Sequence, residues 1–452
     1  MTRALVIGLA ETGVAVAQVL HGEGWEVIVA EDAPAATPRY GARVAVLRDL
    51  GVELVEAPSE ARIRELATTA DLVVPSPLVR ADHLAIVTAE AAGVPVRSEI
   101  DLGAERARMP IVAITGTNGK TTVTTMVAEM LDASGVRAVA AGNIGRPLIE
   151  AVADDVDVVV AEVSSFQLRF AEDAFRPRVA ILLAVTPDHL DWHGSFDAYL
   201  AAKARIAALQ TPDDLLVFDA DDAGATAVAA HAPARTVGFS GRADATGCFR
   251  VVDDRLVFPD GRTLVPIATM SRAFAHDLTN ALAAAAGALD VGGNVDGIAT
   301  ALRSYATMPH RVAFVGEANG VKWYDDSKAT NPDATRRAVA SFGSVVLLAG
   351  GRNKGLDLSV LAEDGGHLKG VVAFGEAGPE IAAAFEGTTT RVECVGVMRD
   401  AVKAAQEMSE AGDVVLLSPA CASFDAYAGY GERGDDFARE VRTQVMEEAT
   451  SR

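Results

Sequence analysis

The segment Ile111-Val112-Ala113-Ile114-Thr115-Gly116-Thr117-Asn118-Gly119-Lys120-Thr121-Thr122 constrains this chain more than any other. A β-branched run enters a glycine-bracketed turn and leaves through Lys-Thr-Thr. The apolar positions beyond it, Val123, Met126, Val127, Met130 and Leu131, have helical period. A buried parallel strand, a tight turn and a helix N-terminus aim backbone N–H groups and the positive end of a helix dipole at one point, which is the layout of a phosphate-binding loop. Lys120 is expected to reach the terminal phosphates of a nucleotide, and the Thr121 hydroxyl to ligate Mg²⁺. Only Thr117 and Asn118 separate Gly116 from Gly119, fewer than the general form of the motif carries.

At 452 residues the chain is too long for a single core, and half of its residues are hydrophobic, so about three domains, each with its own core, are expected. No stretch approaches the roughly 18 apolar residues of a membrane span, and Met1 to Ala10 lacks a signal-peptide layout, so a cytoplasmic protein is expected. Cys248, Cys394 and Cys421 are scattered without metal-ligand spacing, which argues against a disulfide framework or a zinc site. A formal charge of −22 disfavours nucleic acid and anionic membranes as partners, since both need a broad basic face. An anionic substrate must then be met by locally placed cations, with Lys120, Arg311, Lys328 and Lys354 as candidates.

In chain order, Ala4 to Gly8 reads as a strand, Gly8-Leu9-Ala10-Glu11-Thr12-Gly13 as a turn into a helix, and Glu26 to Ala30 as a strand closing on Glu31-Asp32. This βαβ unit is similar to a dinucleotide fingerprint, but Ala10 stands where a second glycine would let the backbone approach a pyrophosphate. A Rossmann-like fold without nicotinamide is therefore expected. Leu72 to Val74 and Val94 to Arg97 read as further strands, and polar Ser98 to Met109 as a helical link into the unit opened by the phosphate loop. Within that unit Glu162 and His189 follow apolar strands, Val156–Val160 and Val179–Val185, at the edge where α/β sheets bind ligands. Glu162 is a candidate Mg²⁺ ligand. Phe196, Tyr199, Leu200, Ile206 and Leu209 define the buried stripe of the next helix, and Lys203 falls on it, an inward lysine that needs a reason.

From about Asp213 to Pro266 the pattern is strand-like, and helix returns around Asn280. Met308-Pro309 marks a boundary. Val321–Tyr324, Val345–Ala349, Val371–Phe374 and Val414–Leu417 read as strands of a third α/β unit, and polar or glycine-rich loops follow three of them. The expected domains are 1–98, 99–307 and 308–452: a Rossmann-like N-terminal domain, a central P-loop ATPase-like domain with a mostly parallel sheet, and a Rossmann-like C-terminal domain.

The short loop Gly116 to Thr122 resembles that of the ATP-dependent amide ligases of peptidoglycan assembly and their folylpolyglutamate synthase relatives. Gly142-Asn143-Ile144-Gly145, Glu162 to Leu168, Asp188-His189-Leu190-Asp191, Lys203, His276 to Asn280, Pro309-His310-Arg311 and Asp326 to Asn331 agree with that family. Glu162 to Leu168, Leu417 to Asp425 and Glu432-Arg433-Gly434 resemble the branch that adds D-glutamate. The resemblance implies that ATP, D-glutamate and UDP-N-acetylmuramoyl-L-alanine meet on a monomer through an acyl phosphate. It implies catalytic roles for Lys120, Glu162, His189 and Lys203, and ATP binding by Gly116, Thr117, Asn118, Gly119, Lys120, Thr121, Thr122, Asn280, Arg311 and Asp326. Two Mg²⁺ ions would be held by Thr121, Glu162, His189 and Lys203, the last as a carbamylated lysine. Thr12, Glu31, Asp32, Ser76, Asn143 and Ser164 would meet the UDP-linked substrate, and Lys328, Thr330, Lys354, Ser423 and Tyr430 would face D-glutamate. Departures concentrate in the first domain, at Ala10, at Ala33 and at Leu78 in Ser76-Pro77-Leu78.

Overall fold

The computed structural model describes residues 2–33, 41–306, 308–364 and 366–446. The expected domain boundary at 307, and the last residues of the expected third domain, lie outside the described residues. The chain forms two compact units: Met1–Val185 with Asp197–Ser271 and Leu278–Ser304, and Thr186–Phe196 with Arg272–Asp277 and Tyr305–Arg452.

The first unit holds two sheets. In one, β1 (Arg3–Ile7), β2 (Glu26–Glu31), β3 (Glu53–Glu56) and β4 (Leu72–Pro75) lie in the order β3-β2-β1-β4, all parallel. The order reverses between β1 and β4, so a crevice opens beyond their C-terminal ends. Val94–Arg97 is not a strand and makes only an isolated bridge from Val96 to Val73. Pro95 has no N–H to give a ladder, which confines the pairing to that one bridge.

The second sheet contains β5 (Ile111–Thr115), β6 (Ala138–Gly142), β7 (Val158–Glu162), β8 (Val179–Leu182), β9 (Leu215–Asp219), β10 (Arg235–Ser240), β11 (Phe249–Val252), β12 (Arg255–Val257) and β13 (Thr263–Pro266). Their order is β13-β12-β11-β10-β9-β8-β5-β7-β6, parallel except where β12 joins its two neighbours. β5 is buried along its length between β7 and β8, as expected of a run without alternation. The helix Lys120–Ala133 buries Val123, Met126, Val127, Met130 and Leu131, the positions its period marks. On the order of 1.5–3 kcal/mol for each such large side chain holds the helix start against the sheet. The 213–266 stretch is not purely strand: Asp222 caps the helix Ala223–Ala229 by accepting from the Ala225 N–H at 2.7 Å. Helix Phe196–Ala204 passes into a 3₁₀ turn, Arg205–Ala207. Tyr199, Lys203 and Ile206 are therefore buried, but Leu209 lies past the change of register and is 38% exposed.

The second unit is built on β14 (Ala313–Ala318), β15 (Val321–Asp325), β16 (Val345–Gly350), β17 (Leu368–Phe374), β18 (Arg391–Val395) and β19 (Val414–Ala420), ordered β14-β15-β19-β16-β17-β18. Only the β14–β15 pair is antiparallel. β14 and β18 have no counterpart in the sequence reading. They are the edges, half in water, and carry none of the continuous apolar run that marks β16 and β19.

Candidate functional site

The loop after β5 is held open from several sides. Gly116 and Gly119 take φ of 153° and 83°, and a Cβ on Gly119 would stand 2.7 Å from Asn280 Oδ1, so backbone runs where no side chain could be carried. The Thr117 N–H donates to the Ala184 carbonyl at 2.9 Å, and the Thr117 and Tyr199 hydroxyls are 3.1 Å apart. Lys120 folds back over the loop, its ammonium donating to the carbonyls of Gly116 (3.0 Å) and Thr117 (2.9 Å). Asn118 and Thr122 complete the turn and the first helical residues. A lysine over a glycine-bracketed turn at the start of a fourteen-residue helix has the layout of a phosphate-binding loop.

Beside it, the Thr121 hydroxyl donates to Glu162 Oε2 at 2.7 Å, and Asn143 Nδ2 donates to Glu162 Oε1 at 2.9 Å. Thr121 and Glu162 are both buried, and both sit at the ligand edge of their elements. This hydroxyl–carboxylate pair is a hard oxygen donor set of the kind Mg²⁺ takes alongside phosphate oxygens. Lys203 is 1% exposed; its Nζ donates to the Gly116 carbonyl at 2.7 Å and lies 3.4 Å from Thr115 Oγ1 and 4.6 Å from the centre of the Tyr199 ring. Lys120, Thr121, Glu162, Asn143, Asn280 and Lys203, drawn from separate elements, thus gather around a single loop. Ser164, two residues past the end of β7, caps the short helix Ser165–Arg169 through a reciprocal box with Gln167.

At the crevice between β1 and β4 a cavity of about 490 Å³ is lined by Gly8, Ala10, Glu31, Asp32, Ser76 and His83, among others. Thr12, on the helix Glu11–Gly22, is not among the described lining residues. Glu31 spends both oxygens on backbone N–H groups, accepting from Leu9 N at 2.7 Å and Ala33 N at 3.1 Å. Asp32 faces His83, with 3.1 Å between Oδ2 and Nε2. Because His83 Nδ1 accepts the Ala85 N–H, Nε2 carries the proton and donates to Asp32. Ser76 donates to the Gly8 carbonyl.

In the second unit the polar groups again gather at strand ends. Asp188, 4% exposed, accepts from Lys354 Nζ at 2.7 Å and from Asn331 Nδ2 at 3.1 Å. Burial alone would raise its carboxyl, but the charges of Lys354 and His189 and the two hydrogen bonds hold it below the usual carboxylate value. His189 follows in a left-handed conformation, φ 52°. Lys328 donates to the Tyr430 hydroxyl at 3.0 Å and lies over its ring. Asp326 accepts from Ser418 Oγ at 2.8 Å and from Val312 N at 3.3 Å; burial pushes its carboxyl up to about 7 against the Ser418 hydrogen bond and the charge of Arg311. Ser423 is buried and Thr330 half-buried in the loops after β19 and β15.

Two residues without an assigned role in the sequence reading hold this unit's loops. Asp188 is the counter-ion of Lys354. Fully buried Arg433 donates from Nε to Ser327 Oγ (3.0 Å), from Nη2 to the Ser327 carbonyl (2.8 Å), and from Nη1 to the carbonyls of Cys421 (3.1 Å) and Gly350 (3.3 Å). One side chain thus ties the loops after β15, β16 and β19. The sequence signal for Arg433 was its place in the segment Glu432-Arg433-Gly434; in the structure a Cβ at Gly434 would overlap the His310 ring.

A phosphate loop on a parallel sheet with a Thr–Glu oxygen pair beside it, and an α/β unit rich in strand-end polar loops, define a nucleotide-binding α/β architecture. Residues 114–288 match the Mur ligase middle domain and residues 310–421 the Mur ligase glutamate ligase domain. The chain belongs to the Mur ligase family. It is 40% identical to the UDP-N-acetylmuramoylalanine–D-glutamate ligase of Desulfatibacillum aliphaticivorans over 97% of both chains, and 41% identical to the enzyme of that name from Geotalea uraniireducens (strain Rf4), again over 97% of both. Among solved structures it is similar in fold to the UDP-N-acetylmuramate-alanine ligase MurC of Thermotoga maritima, with a TM-score of 0.60 at 20% identity, covering 98% of this chain and 100% of that one.

Proposed function

We infer that this chain is an ATP-dependent ligase that joins D-glutamate to UDP-N-acetylmuramoyl-L-alanine, a step of peptidoglycan synthesis. The observation that carries the reading is the shared name of relatives about 40% identical along 97% of their length and of this chain. The phosphate loop and the Thr121–Glu162 pair support it chemically. A carboxylate is a poor electrophile; moving the γ-phosphoryl group of ATP onto it gives an acyl phosphate. The D-glutamate amine attacks that carbonyl, phosphate leaves, and one amide, one ADP and one phosphate result. Such transfer is mainly positioning and charge neutralisation. Lys120 and the loop N–H groups would orient and neutralise the phosphates. Thr121 and Glu162 would hold Mg²⁺, whose chemistry is to draw charge off the phosphate oxygens.

The finer assignments belong to this proposal. Lys203 would be carbamylated, supported by the cost of a buried ammonium beside a cation site; His189 would serve a second Mg²⁺. Arg311, Asp326 and Asn280 are assigned to the nucleotide, Lys328, Thr330, Lys354, Ser423 and Tyr430 to D-glutamate, and Thr12, Glu31, Asp32, Ser76, Asn143 and Ser164 to the UDP-linked acid. The 1–98, 99–307 and 308–452 segments would be the corresponding domains of a cytoplasmic monomer; among the described residues no helix is long and apolar enough to cross a membrane. Phosphate release with a panel of UDP-muramoyl acceptors and D- and L-amino acids tests the reading. One phosphate per amide is expected, only with the muramoyl-L-alanine acceptor and D-glutamate together; release that ignores either would refute it.

A further inference from the structure

Glu99 opens the helix Glu99–Arg106 and is 1% exposed. Its Oε1 accepts the Ile149 N–H at 2.7 Å, and its Oε2 faces the Gln167 side-chain amide, 3.4 Å from Nε2. The other side of that amide is equally committed: Gln167 Oε1 accepts from the Ser164 N–H at 3.0 Å and the Ser164 hydroxyl at 2.9 Å. Turning the amide over would set its NH₂ against an N–H donor and its oxygen against a carboxylate, so an ionised Glu99 fixes one orientation. The consequence falls on Ser164. Its hydrogen goes to Gln167 Oε1, and one lone pair takes the Gln167 backbone N–H at 3.2 Å. A hydroxyl has one donor and two acceptor positions, so what remains to Ser164 is a single acceptor position.

We propose that Glu99 is a positioning residue which, through Gln167, makes Ser164 a hydrogen-bond acceptor selecting an N–H or O–H donor on the UDP-linked substrate. The proposal rests on the reading above that Ser164 faces that substrate. It also gives the contact a polarity that a proton can reverse. A protonated Glu99 must donate, and the groups around it are donors, except that the Gln167 amide can turn to accept. The turned amide then places Nε2 against Ser164 Oγ and frees the hydroxyl hydrogen to be donated, at the cost of setting the amide NH₂ against the Ser164 N–H that its oxygen had accepted, so the low-pH arrangement is the poorer one. Burial, opposed by the hydrogen bonds from Ile149 and Gln167, pushes the Glu99 carboxyl up to about 7. Of the groups packed around it, Glu150 from the helix Leu148–Ala151 raises it further, and Gln167 from the helix Ser165–Arg169 is uncharged. In its own segment Asp101 is paired with Arg97 at 2.6 Å.

The test is the KM for the UDP-linked substrate between about pH 6 and pH 8.5, alongside the KM for ATP. In the unaltered enzyme it should fall as pH rises through about 7, with the KM for ATP not following it. Ser164→Ala should raise the KM for the UDP-linked substrate roughly three- to tenfold, the worth of one hydrogen bond, and remove the pH dependence. Glu99→Gln is isosteric but presents an NH₂ to Gln167, so it should show the low-pH KM at every pH. The double variant should then be no worse than Ser164→Ala. If Ser164→Ala matters but Glu99→Gln keeps the pH dependence, or the two effects multiply, Glu99 does not act through Ser164 and the proposal fails alone. A Ser164→Ala enzyme with unchanged KM would remove the substrate reading of Ser164 and the proposal with it. Should Glu99→Gln not fold, the loss or survival of the pH dependence in Ser164→Ala decides by itself.

Discussion

Lys120 shows how little the fold asks of some site residues. Its ammonium is bound to two carbonyls of its own loop, so Lys120→Ala removes about 1 kcal/mol of local hydrogen bonding while deleting the charge meant for the transferred phosphoryl group. Turnover should drop at least about 100-fold with a nearly unchanged melting temperature, as single-turnover kinetics and calorimetry would register. Gly119→Ala separates backbone from charge: at φ 83° with Asn280 Oδ1 in the way, the loop itself must move, and nucleotide affinity should suffer with Lys120 intact. Lys203 carries the sharper chemical test. Lys203→Ala should be inactive and recover in part with added short-chain carboxylic acids, which can bring a negative charge to the vacated space. A carbamate carbon should also appear in ¹³C spectra of the enzyme grown or incubated with labelled CO₂. An unmodified amine in the active, nucleotide-bound enzyme would end that assignment.

At the scale of elements, the recurring device is a buried parallel strand that delivers a polar loop. β5 delivers the phosphate loop, β7 delivers Glu162, and β15, β16 and β19 deliver the loops that Arg433 ties together. Among the described residues no carboxylate bonds this guanidinium directly, and burial pushes it down to about 10. Arg433→Met should leave the Ser327, Gly350 and Cys421 carbonyls short of donors and cost about 3 kcal/mol of stability in denaturant titrations. Its effect on KM should be larger for D-glutamate than for the UDP-linked acid, because Lys328 and Ser423 sit in the loops it fixes. Arg433→Lys, which keeps the charge but loses the fork, should restore only part of either. An unchanged denaturation midpoint in Arg433→Met would show that the loops hold themselves.

For the whole molecule, two buried carboxyls set a pH response. Glu99 and Asp326 are raised from 4.5 and 3.8 to about 7, in each case chiefly by burial. A raised carboxyl binds its proton more tightly folded than unfolded, so this contribution to stability is fully present below the unfolded values of 4.5 and 3.8 and is lost as pH rises from there through about 7. His276, whose buried imidazole is lowered, works in the opposite direction with one group against two. Urea midpoints at about pH 5.5 and 8 measure the net slope, and Glu99→Gln should flatten it. The strands β5, β7, β16 and β19, the helix after the phosphate loop, and the inward lysine were legible from sequence because each has a period or a run that local geometry fixes. Edge strands β14 and β18, half wet, carried no such pattern, and Leu209 was misread because a periodicity does not announce where a helix tightens. The sequence by itself determined which residues could do phosphate and carboxylate chemistry, since glycines, Lys120 and Thr121 are fixed to one another by adjacent backbone. Only tertiary structure decided the partners: Glu162 against Thr121, Lys354 against Asp188, Arg433 across three loops, and Glu99 behind Ser164 through Gln167. Those pairings join residues far apart in the chain, and a buried donor takes whichever acceptor the packed sheets bring within 3 Å or so.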